Sequence, residues 1–426
     1  MNDQARHQNP YGVAAYERIQ AFRALSDDPH CLTRLYLSPA HAKAIDLIQS
    51  MMKEVGCDDV TVDDLGTVTG RYGGTETNSK SLLIGSHIDT VVDAGAYDGT
   101  LGIVAGLGVI AFLKENQIRY PFTIEIIAFG DEENVRFPSN LSSSRALAGT
   151  FDPLILEARD ANGTSLKEAL IHFNLKPEAI PSMKRDPETI LGYLEVHIEQ
   201  GPVLQHENLP LGIVTSINGS SRRGVTLKGV AGHAGTVPMA LRKDPLAGFV
   251  EMANGLEAIA GRYADTVATI GRVEVHPNAI NVIPGQVFFT LDMRGPDDAD
   301  RERLVDVIEA HCLAVAKKRG LDIQIDPYYD APACLCNLSL QSFMEKAMQS
   351  HNLPVFYLPS GAGHDAMAMA DLCPVAMLFV RCKDGISHNP AEYCSVEDME
   401  SAISVLIKTV QTMALKNHIE TREESR

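Results

Sequence analysis

The sequence lacks the features of a secreted or membrane-spanning protein. Its opening, MNDQARHQNPYG, has no basic stretch followed by an apolar core, so we expect no secretory signal peptide. The longest apolar run, about Leu101 to Leu113, is interrupted by glycines and is too short to cross a bilayer.

Basic charge is also scarce, with 37 Lys and Arg against 55 Asp and Glu and a net charge of −18. Nucleic acids and anionic membranes bind basic surfaces, so neither is expected as a partner. A small anionic substrate stays possible, because one pocket can be locally basic.

Paired cysteine motifs are missing as well. The eight cysteines are scattered, and the one close pair, Cys334 and Cys336, has no C-x-x-C partner. We expect free thiols in a reducing cytoplasm rather than disulfides or a thiolate zinc site. No G-x-S-x-G motif occurs, so nothing indicates a serine hydrolase.

The 426 residues are too many for one ordinary core, and the element pattern indicates two domains. Strands alternate with helices over residues 1–214 and 331–426, which predicts an α/β domain with a helix-covered, mixed and largely parallel sheet. Residues 215–330 instead read β-α-β-β-α-β, the order of a ferredoxin-like domain. We therefore predict a discontinuous catalytic domain interrupted by an inserted lid domain.

The stretch Ser81 to Leu107 reads as a buried strand, a loop and a long apolar helix. The loop carries His87, Asp89 and Asp98. Loops at the carboxyl ends of parallel strands commonly hold functional residues, so this loop is predicted to form part of a metal site.

Five candidate metal ligands lie at or just beyond predicted strand ends or in one later loop: His87, Asp98, Glu133, His197 and His388. Imidazole and carboxylate without thiolate suit Zn²⁺, Mn²⁺ or Co²⁺ in a hydrolytic site. If one carboxylate bridges, five ligands are enough for two ions. Singly, each could be structural, and Asp98 could merely cap a helix.

Three neighbouring acids complete the predicted site. Asp89 lies two residues after His87, so in an extended segment both point to the same side and Asp89 could orient the imidazole. Glu132 and Glu133 are adjacent and should point apart, one binding metal and the other moving protons. The alternatives are a loop cap for Asp89 and a solvated acidic turn for the glutamate pair.

Eight segments in order resemble those of the hydantoinase/carbamoylase-type amidases, which belong to a superfamily of two-metal aminopeptidases and deacylases. They are HIDTVVDAGAYDGTLG, GDEENVRFP, LEVHIEQGPVL, GHAGTVP, NVIPG, LDMRG, SGAGHDA and GISHNPAE. The resemblance covers nearly the whole chain and is strongest to the allantoate amidohydrolases. One departure is Asn134, which follows the glutamate pair where these enzymes often carry Gly, so the local loop shape is in question.

The resemblance implies two divalent ions per subunit, Zn or Mn with Co possible. Their shared ligand would be Asp98, which would bind one ion with His87 and His197 and the other with Glu133 and His388. In addition, Glu132 would be the general base and Asp89 would support His87.

The resemblance also implies substrate contacts. Gln200 would lie beside the metals, Gly363 would contact the substrate, and Asn281 and Arg294 would bind the substrate carboxylate. The planar guanidinium of Arg294 suits that task, although a surface salt bridge is the alternative. His233 would act on the substrate oxygen from the partner subunit of a homodimer formed through the inserted domain; otherwise it is a turn histidine.

The activity implied is hydrolysis of the carbamoyl C–N bond of a ureido compound that carries a carboxylate. The preferred substrate is allantoate, which would give ureidoglycine, ammonia and carbon dioxide. N-carbamoyl-L-amino acids, N-carbamoyl-β-alanine and ureidoglycolate are the alternatives, as is a binding protein that has lost activity.

A dinucleotide-binding oxidoreductase is an alternative from another class. Gly106 to Ala111 reads G-x-G-x-x-A, and Glu125 lies near the distance at which such folds place their ribose-binding acid. This hypothesis requires Leu101 to Ala105 to form a strand.

Overall fold

The computed structural model describes residues 9–138 and 141–424. By its internal contacts the chain divides into two compact units. The first comprises Met1–Thr215, Cys336–Leu358 and His364–Arg426, and the second comprises Ser216–Leu335 and Pro359–Gly363. No helix in the described ranges is long and apolar enough to span a membrane.

The first unit contains helices distributed along its whole length. They are α1 (Pro10–Arg23), α2 (Pro39–Val55), α3 (Thr100–Glu115), α4 (Ser142–Ala148), α5 (Leu166–His172), α6 (Val203–His206), α9 (Leu338–Ser350), α10 (Asp365–Met369) and α11 (Val396–Glu424). Short 3₁₀ turns cover Pro153–Glu157, Pro177–Met183, Pro187–Thr189 and Lys383–Gly385.

The strands of this unit form one mixed sheet. Its strands are β1 (Asp59–Val62), β2 (Val68–Tyr72), β3 (Ser81–His87), β4 (Thr123–Phe129), β5 (Ile190–Ile198), β6 (Leu211–Ile217) and β15 (Val375–Val380). They lie in the order β1-β2-β4-β3-β5-β15-β6. The four central strands β4, β3, β5 and β15 run parallel, whereas β1, β2 and β6 pair antiparallel.

Burial explains why the central strands lack alternating polarity. Every residue of β3, β4 and β15 is buried, as expected where helices cover both faces of a parallel sheet. The predicted α/β fold with a largely parallel, helix-covered sheet is therefore confirmed. Strand β6, which pairs antiparallel with β15, was not predicted from the sequence.

Helix α2 forms where the sequence predicts it. The Ser38 hydroxyl accepts a hydrogen bond from the backbone N–H of His41, and Pro39 occupies the first turn. Gly56 ends the helix in the left-handed conformation, with φ of 104°. These signals are local, so they can be read without knowledge of the fold.

The glycines of helix α3 allow it to press against the sheet. A Cβ on Gly102 would lie 2.3 Å from the Val196 carbonyl oxygen, and one on Gly106 would lie 2.9 Å from Ile126. The segment 101–105 is thus helical and not a strand. The dinucleotide-binding hypothesis is wrong, because its glycines lie inside a helix and pack against side chains.

The second unit is built on a four-stranded antiparallel sheet. Its elements are β7 (Gly219–Lys228), β8 (Gly232–His233), the 3₁₀ turn Met239–Leu241, α7 (Pro245–Ala260), β9 (Val267–His276), β10 (Val282–Ile283), β11 (Gln286–Gly295), α8 (Asp298–Arg319), β12 (Asp322–Ala331) and β13 (Cys334–Leu335). The sheet order is β12-β7-β11-β9. With α7 after β7 and α8 after β11, the unit has β-α-β-β-α-β connectivity. The short strand β14 (Tyr357–Ser360) spans the boundary of the two units along the chain.

Candidate metal centre and active site

Four adjacent parallel strands deliver the candidate ligands to one edge of the sheet. His87 ends β3, and Glu132 and Glu133 follow the end of β4. His197 is the second-to-last residue of β5, and His388 follows β15 in a loop. Because parallel strands end on the same edge, residues distant in sequence converge there.

Asp98 lies between two groups of these ligands. Its Oδ1 is 3.1 Å from His197 Nε2 and 3.5 Å from His87 Nε2. Its Oδ2 is 3.3 Å from His388 Nε2, which is itself 3.5 Å from Glu133 Oε2. Within each group, one ligand atom per residue lies within 4.8 Å of the others.

Asp98 does not cap the following helix with its side chain. The residue at the N-cap of α3 is Gly99, and no side chain accepts a hydrogen bond from the backbone at the start of this helix. The helix-cap alternative for Asp98 is therefore wrong. The carboxylate instead points at imidazole nitrogens.

The donor set fits divalent cations. His197 Nε2 is buried and lies outside hydrogen-bond geometry with any described atom, although Asp98 Oδ1 is near. The other ring nitrogen, Nδ1, is 2.9 Å from the Ile198 carbonyl oxygen, which leaves Nε2 directed at the cluster. A buried, unbonded nitrogen beside carboxylates is the arrangement that a cation would complete.

Charge within the cluster leads to the same conclusion. Although burial opposes it, hydrogen bonds to Asp89 and Asp98 raise the pKa of His87 well above its usual range. The contact with Asp98 raises the pKa of His388 to about 9. In the metal-free protein, protonated imidazoles therefore supply the positive charge beside these carboxylates. A metal ion would replace those protons.

Asp89 supports the loop of the glutamate pair as well as His87. Its Oδ1 lies 3.5 Å from His87 Nδ1, which is also 3.1 Å from the Asp89 carbonyl oxygen. Its two carboxylate oxygens accept the backbone N–H groups of Glu132 and Glu133, each at 3.1 Å. Asp89 thus connects the loop after β3 to the loop after β4.

The carboxylates of Glu132 and Glu133 converge instead of pointing apart. Both offer an oxygen to the same cluster as a His87 ring nitrogen, within 4.8 Å. The expectation of opposite directions is wrong because these residues lie in a bend and not in extended backbone. Burial raises the pKa of Glu132 well above its usual range and that of Glu133 to about 7.

Asn134, the departure from the family pattern, has φ of 56°. Its side-chain amide donates to the Glu132 carbonyl oxygen at 2.6 Å. Asn adopts the left-handed conformation more readily than most residues other than Gly. The residue therefore satisfies the same backbone requirement that glycine would.

Gln200 is in place beside Asp98. Its Nε2 donates to Asp98 Oδ2 at 2.8 Å, and its backbone has φ of 57°. Gln200 thus contacts the carboxylate that is expected to bridge the two ions.

Two further residues at Asp98 were not predicted. Ser387 donates to Asp98 Oδ2 at 2.9 Å and also lies 2.9 Å from Glu392 Oε2. A hydroxyl has one proton, so Ser387 can donate to only one of these two carboxylates at a time unless one of them carries a proton. Consistently, burial and the neighbouring Asp98 raise the pKa of Glu392 to about 7. Both residues lie within GISHNPAE, where the histidine alone was recognised as functional.

A third residue missed by sequence analysis is His364, in SGAGHDA. It is buried, and its ring centroid lies 4.5 Å from that of His197. Burial and His197 hold the pKa of His364 well below its usual range, so the ring is neutral. Glu195, His197 and His364 also form a buried group with ligand-type atoms within 4.8 Å of one another.

The remaining predicted residues belong to the second unit. His233 pairs with Val282 between β8 and β10, and the N–H of Ala234 donates to the Asn281 carbonyl oxygen at 3.0 Å. His233, Asn281 and Gly363 are exposed.

Arg294 makes contacts from both sides of its guanidinium. Its Nε and Nη2 each donate to Asp292 at 3.0 Å, and Nη1 donates to the Gly361 carbonyl oxygen at 2.8 Å. The salt bridge considered as an alternative for Arg294 is thus present.

Comparison with known proteins identifies the family. The model of peptidase family M20/M25/M40 matches residues 83–412. An N-carbamoyl-L-amino acid amidohydrolase of Geobacillus stearothermophilus is 40% identical over 95% of this chain and 98% of its own. An allantoate deiminase of Arabidopsis thaliana is 39% identical over 95% of this chain and 83% of its own.

A solved structure gives the same assignment. The crystal structure of a hydantoinase/carbamoylase family amidase from Burkholderia multivorans matches with a TM-score of 0.89 and 32% identity, covering 95% of this chain and 98% of that one. The fold, the clustered ligands and these matches agree. The chain therefore belongs to peptidase family M20/M25/M40 and, within it, to the hydantoinase/carbamoylase-type amidases.

Proposed function

We propose that this protein is a metal-dependent amidohydrolase that cleaves the carbamoyl C–N bond of a ureido compound carrying a carboxylate. The observation that carries the proposal is the position of Asp98 between two groups of imidazole and carboxylate ligands. One carboxylate with a ligand group at each oxygen suits a bridge between two ions.

Two ions per subunit are proposed, Zn or Mn with Co possible. His87 and His197 would hold one with Asp98, and Glu133 and His388 would hold the other with Asp98. When bound, the ions would polarise the carbamoyl oxygen and increase the acidity of water.

Glu132 is the proposed general base. Burial and nearby carboxylates raise the pKa of Glu132 well above its usual range, which makes its carboxylate a stronger base than an exposed glutamate. Glu132 would take a proton from the attacking water and give it to the leaving nitrogen. Asp89 would keep the loop of Glu132 in place through the two backbone hydrogen bonds.

Allantoate is the proposed substrate, giving ureidoglycine, ammonia and carbon dioxide. Two of the relatives described above are named for allantoate and for N-carbamoyl-L-amino acids, at nearly equal identity. N-carbamoyl-L-amino acids are therefore the second candidate, which the relative at 40% identity favours.

The second unit is proposed to mediate homodimerisation and to supply substrate contacts. Asn281 and Arg294 would bind the substrate carboxylate, Gly363 would contact the substrate, and His233 would act on the active site of the partner subunit. Strand β9 supports the dimer, because its outer edge pairs with no strand in the described part of the chain. Val267 and Val273 on β9 are 51% and 43% exposed. Such an edge is suited to pairing with a second copy.

A substrate panel tests the proposal. Metal-free protein would be loaded with Zn²⁺, Mn²⁺ or Co²⁺ and assayed for ammonia release from allantoate, N-carbamoyl-L-amino acids, N-carbamoyl-β-alanine and ureidoglycolate. Hydrolysis of allantoate is expected, with kcat lowered by about 10²–10⁴-fold in Glu132→Gln. Turnover of a carbamoyl amino acid without turnover of allantoate would transfer the proposal to the second candidate, and no turnover of any ureido compound would reject both.

A further inference from the structure

Glu392 joins the loop after β15 to the loop that carries Asp98. Its side chain is buried, and Oε1 accepts the backbone N–H groups of Tyr97 at 2.7 Å and Asp98 at 3.1 Å. The loop fits closely around this carboxylate, because a Cβ on Gly95 would lie 2.2 Å from Glu392 Cδ. The carboxylate therefore fixes the backbone from which the Asp98 side chain extends.

The second oxygen of Glu392 reaches the Asp98 side chain through Ser387. The Ser387 hydroxyl is 2.9 Å from Glu392 Oε2 and 2.9 Å from Asp98 Oδ2. Ser387 directly precedes His388 in the chain. Glu392 and Ser387 thus connect Asp98 with the loop that carries His388.

These contacts treat the two oxygens of Asp98 differently. Oδ2 receives hydrogen bonds from Ser387 and from Gln200, whereas Oδ1 faces the ring nitrogens of His87 and His197. The side of Asp98 that faces Glu133 and His388 is therefore the side that the Glu392–Ser387 contact orients.

We propose that Glu392, acting through Ser387, is a positioning residue that orients Asp98 and sets the affinity of the ion held by Asp98, Glu133 and His388. The inference rests on the proposed two-ion function. Groups that hold a metal ligand in place commonly change metal affinity by about 10–100-fold when removed. Affinity for the ion beside His87 and His197 would change less, because two of its three ligands, the imidazoles, are held by other contacts.

The test is a titration of metal-free protein with Co²⁺, followed by visible absorption and by competition with a chelator. The variants are Glu392→Ala, Ser387→Ala and Glu392→Gln, with Glu397→Ala on the exposed first turn of α11 as the matched control. Thermal unfolding of each metal-free variant identifies any that fails to fold; Ser387→Ala removes one oxygen atom and keeps the test valid if Glu392→Ala is unfolded.

The expected result is a loss of about 10–100-fold in affinity for one of the two Co²⁺ ions in Glu392→Ala and Ser387→Ala, with a changed absorption band for that ion. Glu392→Gln is expected to retain affinity, because a carboxamide can accept both backbone N–H groups and donate to Ser387. Wild-type affinity for both ions in both alanine variants would overturn the inference, as would a glutamine variant as weak as the alanine one.

The result of the Co²⁺ titration can be distinguished from the result of the substrate panel. A wild-type protein that binds two Co²⁺ ions but hydrolyses no ureido compound would reject the proposed function and leave this titration informative. A wild-type protein that binds only one ion would overturn the inference whatever its activity.

Discussion

The backbone N–H of Glu132 donates to Asp89 Oδ1 at 3.1 Å, so the residue proposed to support His87 also contacts the loop of the proposed base. In Asp89→Asn, one acceptor oxygen becomes an NH₂ group that faces an N–H donor. We expect kcat to fall about 10–100-fold and the free energy of unfolding to fall by about 1–3 kcal/mol. Steady-state kinetics and urea denaturation measure both, with Asp93→Asn in an exposed part of the same loop as control. A wild-type kcat in Asp89→Asn would contradict the role of Asp89.

Glu132 and Glu133 should have different functions, although their carboxylates converge. Glu132→Gln is expected to lower kcat by about 10²–10⁴-fold while metal content stays at the wild-type level, because only proton transfer is lost. Glu133→Gln is expected to lose metal as well as activity. Elemental analysis after dialysis, with parallel kinetics, distinguishes the two. Equal loss of metal in both variants would show that the assignment of roles is wrong.

Metal binding should release protons. In metal-free protein at about pH 8, His388 is protonated, because contact with Asp98 raises its pKa to about 9. An ion displaces that proton, so apparent affinity should fall as pH falls below about 9. Calorimetry in two buffers of different ionisation enthalpy counts the protons released. His388→Gln should release fewer, and an affinity that is constant between about pH 6 and pH 9 would contradict the prediction.

His41 should make the fold sensitive to acid. It is fully buried, and neither ring nitrogen has a hydrogen-bond partner among the described atoms. Burial lowers its pKa from 6.5 to about 4. Between the two pKa values the unfolded chain binds a proton at His41 that the folded chain does not. The free energy of unfolding is therefore fully retained above pH 6.5 and falls as the pH falls toward 4.

The corresponding loss is of the order of 3 kcal/mol. His41→Leu removes the titrating group and should reduce the difference in unfolding free energy between about pH 7.5 and pH 5, measured by urea denaturation of metal-free protein. His206→Gln, at an exposed histidine on α6, is the control. An unchanged pH dependence in His41→Leu would assign the acid sensitivity to other groups.

Two inactive variants should restore activity when mixed, if His233 acts on the partner subunit. A dimer of one His233→Ala chain and one Glu132→Ala chain has one site with both residues intact. After unfolding and refolding as an equal mixture, about a quarter of wild-type activity is expected from random pairing. Light scattering measures whether the mixture has formed dimers. No recovery in a mixture that has formed dimers would contradict a contribution across the interface.

Local signals predicted much of the fold. The Ser38–Pro39 start of α2, the buried run of β4 and the strand–loop–helix pattern at His87 all depend on neighbouring residues, so they are visible in the sequence. The five candidate ligands were found for the same reason, since each follows or ends a recognisable strand or lies in a short loop motif.

The parts that were missed depend on contacts between distant segments. Strand β6 is stabilised by pairing with β15, which the chain reaches more than a hundred residues later. The contact of Glu392 with Asp98 likewise joins loops that follow different strands. The expectation that Glu132 and Glu133 point apart was wrong because a bend replaces the extended backbone assumed from the preceding strand.

The position of β15 has a consequence for synthesis on the ribosome. This strand fills the place between β5 and β6, yet both of those precede it in the chain. The nascent protein therefore exposes the open edge of β5, a row of unpaired backbone groups next to apolar side chains, until residues 375–380 emerge. Truncated or stalled chains that end before this strand should aggregate, and chaperones should bind them at that edge.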